Sequence, residues 1–468
     1  MSSLEVPAVS WTVTTERAPW RQREASRLGP IDAMPSVIVQ LDQPQQEVEG
    51  FGACFSEMGW TSLARAGEAR REEIIRDLFA PGVGACLTLC RMPIGANDFA
   101  RGWYSLDETP GDLALDDFSI ANDLDTLVPF IKAAQRHQPD LRLWASPWSP
   151  PTWMKTNGHY AGAMPHPAFA GVENGLRPDQ VGREGTDMIR LEEEVLTAYA
   201  AYFGRFVDAY AEQGIPIRMV MPQNEFNSPQ VFPSCTWTPE GLAAFLRHLG
   251  PEMRRRGVEV FLGTLERPDP TIVDRVVADP VAGPFVAGVG LQWHGKGAAP
   301  FVHRDHPGLR IYQTEQECGD GSNSWRLAHR AWDLMRFYFS NGATAYTYWN
   351  ISLLDGGLSR WNWPQNSLYS VDPDTGEARA NHELYVLKHA SHFVRPGARV
   401  LPTLSFTGYE NQLAFVNPDG GVVLVIQNPL GEPMPVNVAV GERKLAAELP
   451  ADSFNTFVIP AEALAVPE

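Results

Sequence analysis

Ile215-Pro216-Ile217-Arg218-Met219-Val220-Met221-Pro222-Gln223-Asn224-Glu225-Phe226-Asn227 is the stretch whose reading decides the fold. Its first half is an apolar run long enough for one buried strand. Ser228-Pro229-Gln230 then follows, and it cannot continue a strand. A carboxylate, Glu225, therefore stands where a buried strand ends. Burial disfavours the charged form of a Glu and suits it to donate a proton. Taken alone, the stretch fits a loop Glu paired with an Arg equally well.

Working outward, the same rhythm repeats from Val48 onward. Short β-rich runs occur at Gly50–Phe55, Leu87–Met92, Leu141–Ser146, Ile217–Pro222, Val258–Gly263, Val286–Trp293, Leu309–Thr314 and Ala343–Trp349. Helical patterns lie between them at Thr61–Leu78, Ile120–Arg136, Glu192–Gln213, Pro239–Arg256, Pro270–Ala278 and Trp325–Asn341. Thr238, Pro239 and Glu240 read as N-cap, first helical residue and acidic first turn. Eight strands alternating with helices predict an α/β fold, a (β/α)8 TIM barrel, whose core takes roughly 250 residues before loop insertions. A doubly wound sheet would need a Gly-rich phosphate loop after its first strand, and Gly50-Phe51-Gly52-Ala53 is too short for one. Two long connections, Ile94–Phe118 and Trp148–Arg190, follow the second and third strands and are rich in Gly, Pro, Trp and Tyr. They lie where a barrel builds its site.

The two ends of the chain read differently. Val9–Thr15 and Ser36–Leu41 are strand-like, without a helical period. After the loop Asn350–Asn366 and a last helix, His382–Phe393, the chain alternates in period two at Leu413–Val416, Gly421–Gln427, Val436–Val440 and Phe454–Ile459. Asn417-Pro418-Asp419-Gly420-Gly421 reads as a hairpin turn. An appended β-sandwich built from both termini is expected, since the first strands would otherwise leave exposed edges. The expected domains are residues 1–46 and 397–468 for the sandwich and 47–396 for the barrel.

A net charge of −18 argues against nucleic acid, which needs a basic stripe, and against anionic membrane surfaces. No run of about 18 apolar residues predicts a membrane span. The five cysteines are odd in number and scattered, so neither a disulfide framework nor zinc spacing can be read; Cys86 and Cys90 read as packing residues. Met1–Glu5 shows no basic segment leading into an apolar one, so a cytoplasmic compartment is expected.

In a barrel, polar residues at strand ends converge on one mouth. Here they are Asn97-Asp98, Ser146-Pro147-Trp148, Asn224-Glu225, Gln292-Trp293-His294, Thr314-Glu315 and Trp349-Asn350. Two Glu at the ends of different strands, among Trp and amides, match what glycoside hydrolysis needs: one carboxylic acid to protonate the leaving oxygen, the other to attack or stabilise the sugar cation. A retaining pair stands about 5–5.5 Å apart. Glu317 competes with Glu315, but Cys318-Gly319-Asp320-Gly321 draws Glu317 into a turn and leaves Glu315 on the strand. Asp98 fits a turn cap as well as a sugar contact, Trp148 and Trp349 fit core as well as wall, and His294 reads as a polar wall residue rather than a base. No metal or cofactor is expected, because too few His accompany the carboxylates.

At these residues the chain resembles glycoside hydrolase family 30, the lysosomal glucosylceramidase family. The resemblance rests on Gly50–Ala53, Arg91–Ile94, Asn97–Phe99, the long run Ala145–Gly158 (ASPWSPPTWMKTNG), Gln223-Asn224-Glu225, Gln313-Thr314-Glu315 and Tyr348-Trp349-Asn350. It implies a retaining double displacement with Glu225 as acid/base and Glu315 as nucleophile. It further implies that Asn224 contacts the sugar 2-hydroxyl, Asp98 the outer hydroxyls, and Trp148 and Trp349 the walls. Gln292, Trp293, His294, Asn350 and Trp361 complete the expected substrate contacts. The lysosomal enzymes carry Tyr where this chain has His294, and Arg360–Pro364 also departs, so the leaving group does not carry over. A β-glucoside is the expected substrate. The rivals are a β-1,6-glucanase, β-xylosidase or β-fucosidase using the same carboxylates, and a carbohydrate-binding barrel without activity.

Overall fold

The computed structural model describes residues 8–24, 28–167, 172–405 and 410–464. Eight parallel strands close a barrel: β1 (Gly50–Cys54), β2 (Leu89–Ile94), β3 (Arg142–Pro147), β4 (Ile217–Val220), β5 (Glu259–Leu265), β6 (Val286–Gln292), β7 (Arg310–Glu315) and β8 (Ala343–Leu354). Closure runs through Ile311↔Ala343 between β7 and β8 and through Ala345↔Gly50 and Tyr346↔Phe51 between β8 and β1. Period two divides each strand between two cores. Leu89, Trp144, Met219, Phe261, Tyr312 and Ala345 form one cluster, which fills the barrel; Cys90, Leu143, Val220, Val260 and Ile311 join the larger cluster shared with the helices. Gly52 sits where β1 passes close to β2: a Cβ there would overlap the Leu89 carbonyl, so no larger residue fits without moving backbone.

The eight strand runs lie within a few residues of the expected bounds, and two departures matter. The expected helix Thr61–Leu78 is two helices, Glu57–Arg65 and Glu68–Phe79, broken at Gly67 with φ +80°. β8 also continues to Leu354 where a loop from Asn350 is expected. Its second half pairs with Ser367–Val371, which in turn pairs with Ala378–Ala380. The helix after β4 starts as its cap predicts: Thr238 Oγ1 accepts from Gly241 N at 2.9 Å.

The sandwich takes strands from both chain ends in both of its sheets. The first runs Ala18–Gln22, Ser10–Thr15, Ser453–Ile459, Val422–Asn428, Gln412–Val416, Ala398–Leu401 and Glu47–Val48. The second runs Thr403–Ser405, Val37–Val39, Met434–Val440, Arg443–Leu449 and Gly29–Pro30. Val37, Val39, Leu424, Ile426, Val438 and Phe457 belong to one buried core between them. Glu47–Val48 is a sandwich strand that leads within two residues into β1. Among the described residues, no helix is long and apolar enough to cross a membrane.

Candidate active site

The C-terminal ends of the barrel strands surround a cavity of about 180 Å³. Asp98, Trp148, Asn224, Glu225, Trp293, His294 and Glu315 all line it, as the sequence predicts. Glu225 follows β4 and Glu315 ends β7; each keeps 6% exposure. One side-chain nitrogen reaches both carboxylates. Gln292 Nε2, at the end of β6, donates to Glu225 Oε1 at 3.1 Å and to Glu315 Oε2 at 3.3 Å. Those two oxygens are no farther apart than the sum of the two distances, which falls short of the ~6.5–9.5 Å that leaves room for a water between an inverting pair.

The two carboxylates have unlike neighbours. Glu315 accepts from the Arg91 guanidinium at 2.8 Å and from the Trp293 indole N–H at 3.1 Å, besides Gln292. Glu225 accepts from neutral carboxamides, Gln292 and Gln230, the latter at 3.0 Å. Burial lifts both groups. For Glu225, burial and then the Glu315 charge push the carboxyl up to about 7. For Glu315, Arg91 is the largest force against the upward push of burial. Two like charges this close are not both held readily, so the proton shared by the pair rests on Glu225, away from the guanidinium. Glu225 also has φ +47° and Trp293 φ +48°, left-handed conformations that non-glycine residues rarely adopt and that concentrate at functional sites. Thr264 on β5 holds the strained turn, its Oγ1 accepting from Glu225 N at 2.9 Å.

Arg91, in the middle of β2 and fully buried, organises the floor. Its Nη2 donates to Asn224 Oδ1 at 2.7 Å and to Ser146 Oγ at 2.9 Å. With its oxygen so engaged, Asn224 keeps its amide N–H groups for other partners. The guanidinium lies 4.3 Å from the centre of the Trp148 ring, and Trp148 stacks on Trp349 with centroids 5.6 Å apart. Asp98 is 6% exposed and its Oδ1 has no hydrogen-bond partner among the described residues; the buried Trp349 Nε1 has none either. Burial first, then Glu315 and Glu225, hold the Asp98 carboxyl well above the usual range. Unpaired buried polar atoms of this kind are satisfied when a hydroxylated ligand enters.

Four expected contacts stand back from the cavity lining. Asn350 donates to Gln365 Oε1 at 3.1 Å, so its amide braces the loop while Gln365 reaches the lining. Trp361 stacks on Trp103 at 4.7 Å behind the rim, and its neighbour Trp363 takes the lining position. Gln292 and Trp349 lie one layer below the lining as well, through the contacts given above. Glu317 pairs with Lys296 at 2.6 Å and Arg330 at 2.8 Å, which hold its carboxyl low and outside the cavity, so Glu315 is the strand-end carboxylate. Arg91 is not among the contacts expected from the sequence, although a lone charge inside the apolar run Leu89-Cys90-Arg91-Met92 signals a buried charge that needs partners. Glu266 and Arg267, just after β5, line the cavity and are likewise outside the expected set. Among the described residues, no group of three or more His, Cys, Asp or Glu is placed to hold a metal ion.

The glycosyl hydrolase family 30 TIM-barrel domain matches residues 48–174 and 178–394, and the family 30 beta sandwich domain matches residues 406–457. The chain is 27% identical to the lysosomal acid glucosylceramidase of Mus musculus, over 86% of this chain and 79% of that one. It is 26% identical to an endo-1,6-beta-D-glucanase of Aspergillus fumigatus, over 89% of this chain and 86% of that one. The crystal structure of SrfJ from Salmonella typhimurium superposes with a TM-score of 0.86 at 24% identity, over 97% of this chain and 100% of that one. With both domain models matched, and paired carboxylates at the mouth of the barrel, the chain belongs to glycoside hydrolase family 30 and is a glycoside hydrolase.

Proposed function

We propose that the protein is a retaining, exo-acting β-glycosidase that removes a single glucose-like residue. The observation that carries the reading is the meeting of Glu225 and Glu315 across one Gln292 nitrogen, with a guanidinium on Glu315 alone. In the first step the Glu315 carboxylate attacks the anomeric carbon. The glycosidic C–O bond breaks, and its electron pair goes to the leaving oxygen, which takes the Glu225 proton. A glycosyl ester on Glu315 remains. In the second step Glu225, now ionised, takes a proton from a water that attacks the same carbon, and the ester electrons return to Glu315. Configuration is retained because the carbon inverts twice.

Asp98 supports exo action. A buried carboxylate with an unpaired oxygen, beside the Trp148–Trp349 stack, suits the outer hydroxyls of a terminal sugar and closes that end to a chain. Asn224, its oxygen held by Arg91, offers its N–H to the 2-hydroxyl. Relatives named as a glucosylceramidase and as an endo-1,6-β-glucanase align over most of this chain at similar identity, so overall likeness does not choose the sugar or the mode of attack, and the pocket does. A panel of 4-nitrophenyl β-glycosides (glucoside, xyloside, fucoside, galactoside, glucuronide) tests the reading: the glucoside is turned over fastest, with the β-anomer of the sugar as first product. Glu315→Gln abolishes turnover; near-normal turnover by that variant, or an α-anomeric first product, contradicts the mechanism.

A further inference from the structure

The cavity has two unlike sides. Asp98 and Trp148, from the ends of β2 and β3, form one. Beyond Glu225, on the side that a proton donor shares with the leaving group, stand Gln230 and Phe232 after β4, Glu266 and Arg267 after β5, and His294 after β6. The mechanism above uses neither Glu266 nor Arg267. Glu266 is 5% exposed, yet it lines the open cavity.

A carboxyl group that deep is costly unless it is paired and hydrogen-bonded. Its known partners fall on one oxygen. Ser228 Oγ and Arg267 Nη1, the latter at 3.0 Å, both donate to Oε1, and among the described residues no hydrogen bond engages Oε2. The brace is itself rigid. Arg267 donates to Ser228 Oγ at 3.0 Å and to both oxygens of Glu184 at 2.9 and 3.2 Å, so one guanidinium ties the loops after β3, β4 and β5 around Glu266. Burial, and Glu225 close by, push the Glu266 carboxyl up, while Arg267 draws it down. Protonated or ionised, it brings to the cavity lining a carboxyl group with one oxygen outside this brace. Phe232 and Trp363 add aromatic faces to the lining. A fixed carboxyl among aromatic faces is how a pocket holds a ring bearing hydroxyls on its edge and C–H groups on its face.

We propose that Glu266, braced by Ser228 and Arg267, is a specificity-determining residue of the leaving-group subsite and selects a hydroxylated leaving group, a second sugar, over an apolar aglycone. The inference rests on the retaining reading given above. It follows from the asymmetry of polar recognition: a site built to bond a hydroxyl discriminates strongly against a ligand lacking one, because its buried polar atom is then left unpaired.

The test compares kcat/KM for 4-nitrophenyl β-glucoside with that for β-1,3-, β-1,4- and β-1,6-linked glucose disaccharides. In the wild type at least one disaccharide is cleaved. Glu266→Ala lowers the ratio of disaccharide to aryl glucoside by roughly tenfold or more, the loss of one hydrogen bond to a charged or strongly polar group. Glu266→Gln keeps part of that ratio, because an amide still bonds a hydroxyl. A ratio unchanged in Glu266→Ala overturns the proposal, since both substrates then lose equally through Glu225 or through folding. A second measurement uses the wild type alone. With the glycosyl-enzyme formed from the aryl glucoside, added glucose captures the sugar far better than methanol at the same concentration; equal capture overturns the proposal even if every variant misfolds. Turnover of the aryl glucoside with no disaccharide cleaved and no preference for the sugar acceptor refutes the subsite and leaves the glycosidase reading standing. Failure on all substrates, including the nitrophenyl panel, refutes both.

Discussion

Glu225 and Glu315 are the same residue type made different by what donates to them. Glu315 receives a guanidinium and an indole N–H, whereas Glu225 receives two carboxamides. With Glu225 pushed up to about 7, its acid form is present below that pH and is lost as pH rises through it. The kcat/KM profile should therefore be a bell, with an alkaline limb near pH 7 from Glu225 and an acid limb where Glu315 takes a proton. The like charge on Glu315 is part of what keeps Glu225 protonated, so Glu315→Gln should lower the Glu225 pKa, by about one unit or more, ~1.4 kcal/mol. Carbon-13 carboxyl titration of that variant reads it directly; a Glu225 still titrating near 7 would assign the whole shift to burial. The strand-end rule brought these two residues into view without coordinates, because each stands where an apolar run stops. Arg91 and Glu266 needed the fold: what each does depends on partners brought from other strands, Glu315 and Asn224 for one, Ser228 and Glu225 for the other.

At the scale of elements, the barrel strands were legible because each is a local hydrophobic run, and the helices because their caps are local chemistry. Thr238 shows this best. Its hydroxyl caps the helix at Gly241 N, and both its N–H and its hydroxyl reach Asp187, in the long connection after β3. Thr238→Ala removes the cap and one of these links, and should lower stability by about 0.5–2 kcal/mol. A lower denaturant midpoint with kcat/KM unchanged is the expected result, since Thr238 lies outside the cavity lining; an unchanged midpoint would show that the helix start is held by packing alone. The second half of β8 was not legible. Asn350-Ile351-Ser352 reads as loop because polar residues interrupt it. In the structure each polar group finds a distant partner: Asn350 bonds Gln365, and the Ser352 hydroxyl meets that of Ser62 at 2.8 Å. Gly67 illustrates the opposite error, a helical period carried straight across a left-handed break.

At the scale of the molecule, barrel and sandwich are joined through a buried imidazole. His389, on the helix His382–Ser391, is fully buried, with Nδ1 2.7 Å from Thr456 Oγ1 and Nε2 2.9 Å from Thr14 Oγ1, one residue from each end of the chain. The Thr456 hydroxyl donates to the His389 carbonyl at 2.9 Å, so its oxygen accepts from Nδ1–H. Nε2 is then the acceptor of a hydrogen bond from the Thr14 hydroxyl, and the ring is neutral. Burial first, then the Lys388 charge beside it, lower its pKa to about 3, against about 6.5 in an unfolded chain. The sign follows. Above pH 6.5 the ring is neutral in both states and its contribution to stability is complete. As pH falls below 6.5 the unfolded chain binds a proton that the folded protein refuses, and stability is lost progressively toward pH 3. His389→Gln keeps a donor and an acceptor for the two threonines and cannot titrate. Relative to that variant, the wild type should lose about 2 kcal/mol of unfolding free energy between pH 7 and pH 5. Denaturant titrations of both proteins at the two pH values measure this difference, free of every other group that titrates in both. A difference independent of pH would mean that the imidazole is already open to protonation, and that the seam between the two domains is held by its apolar contacts.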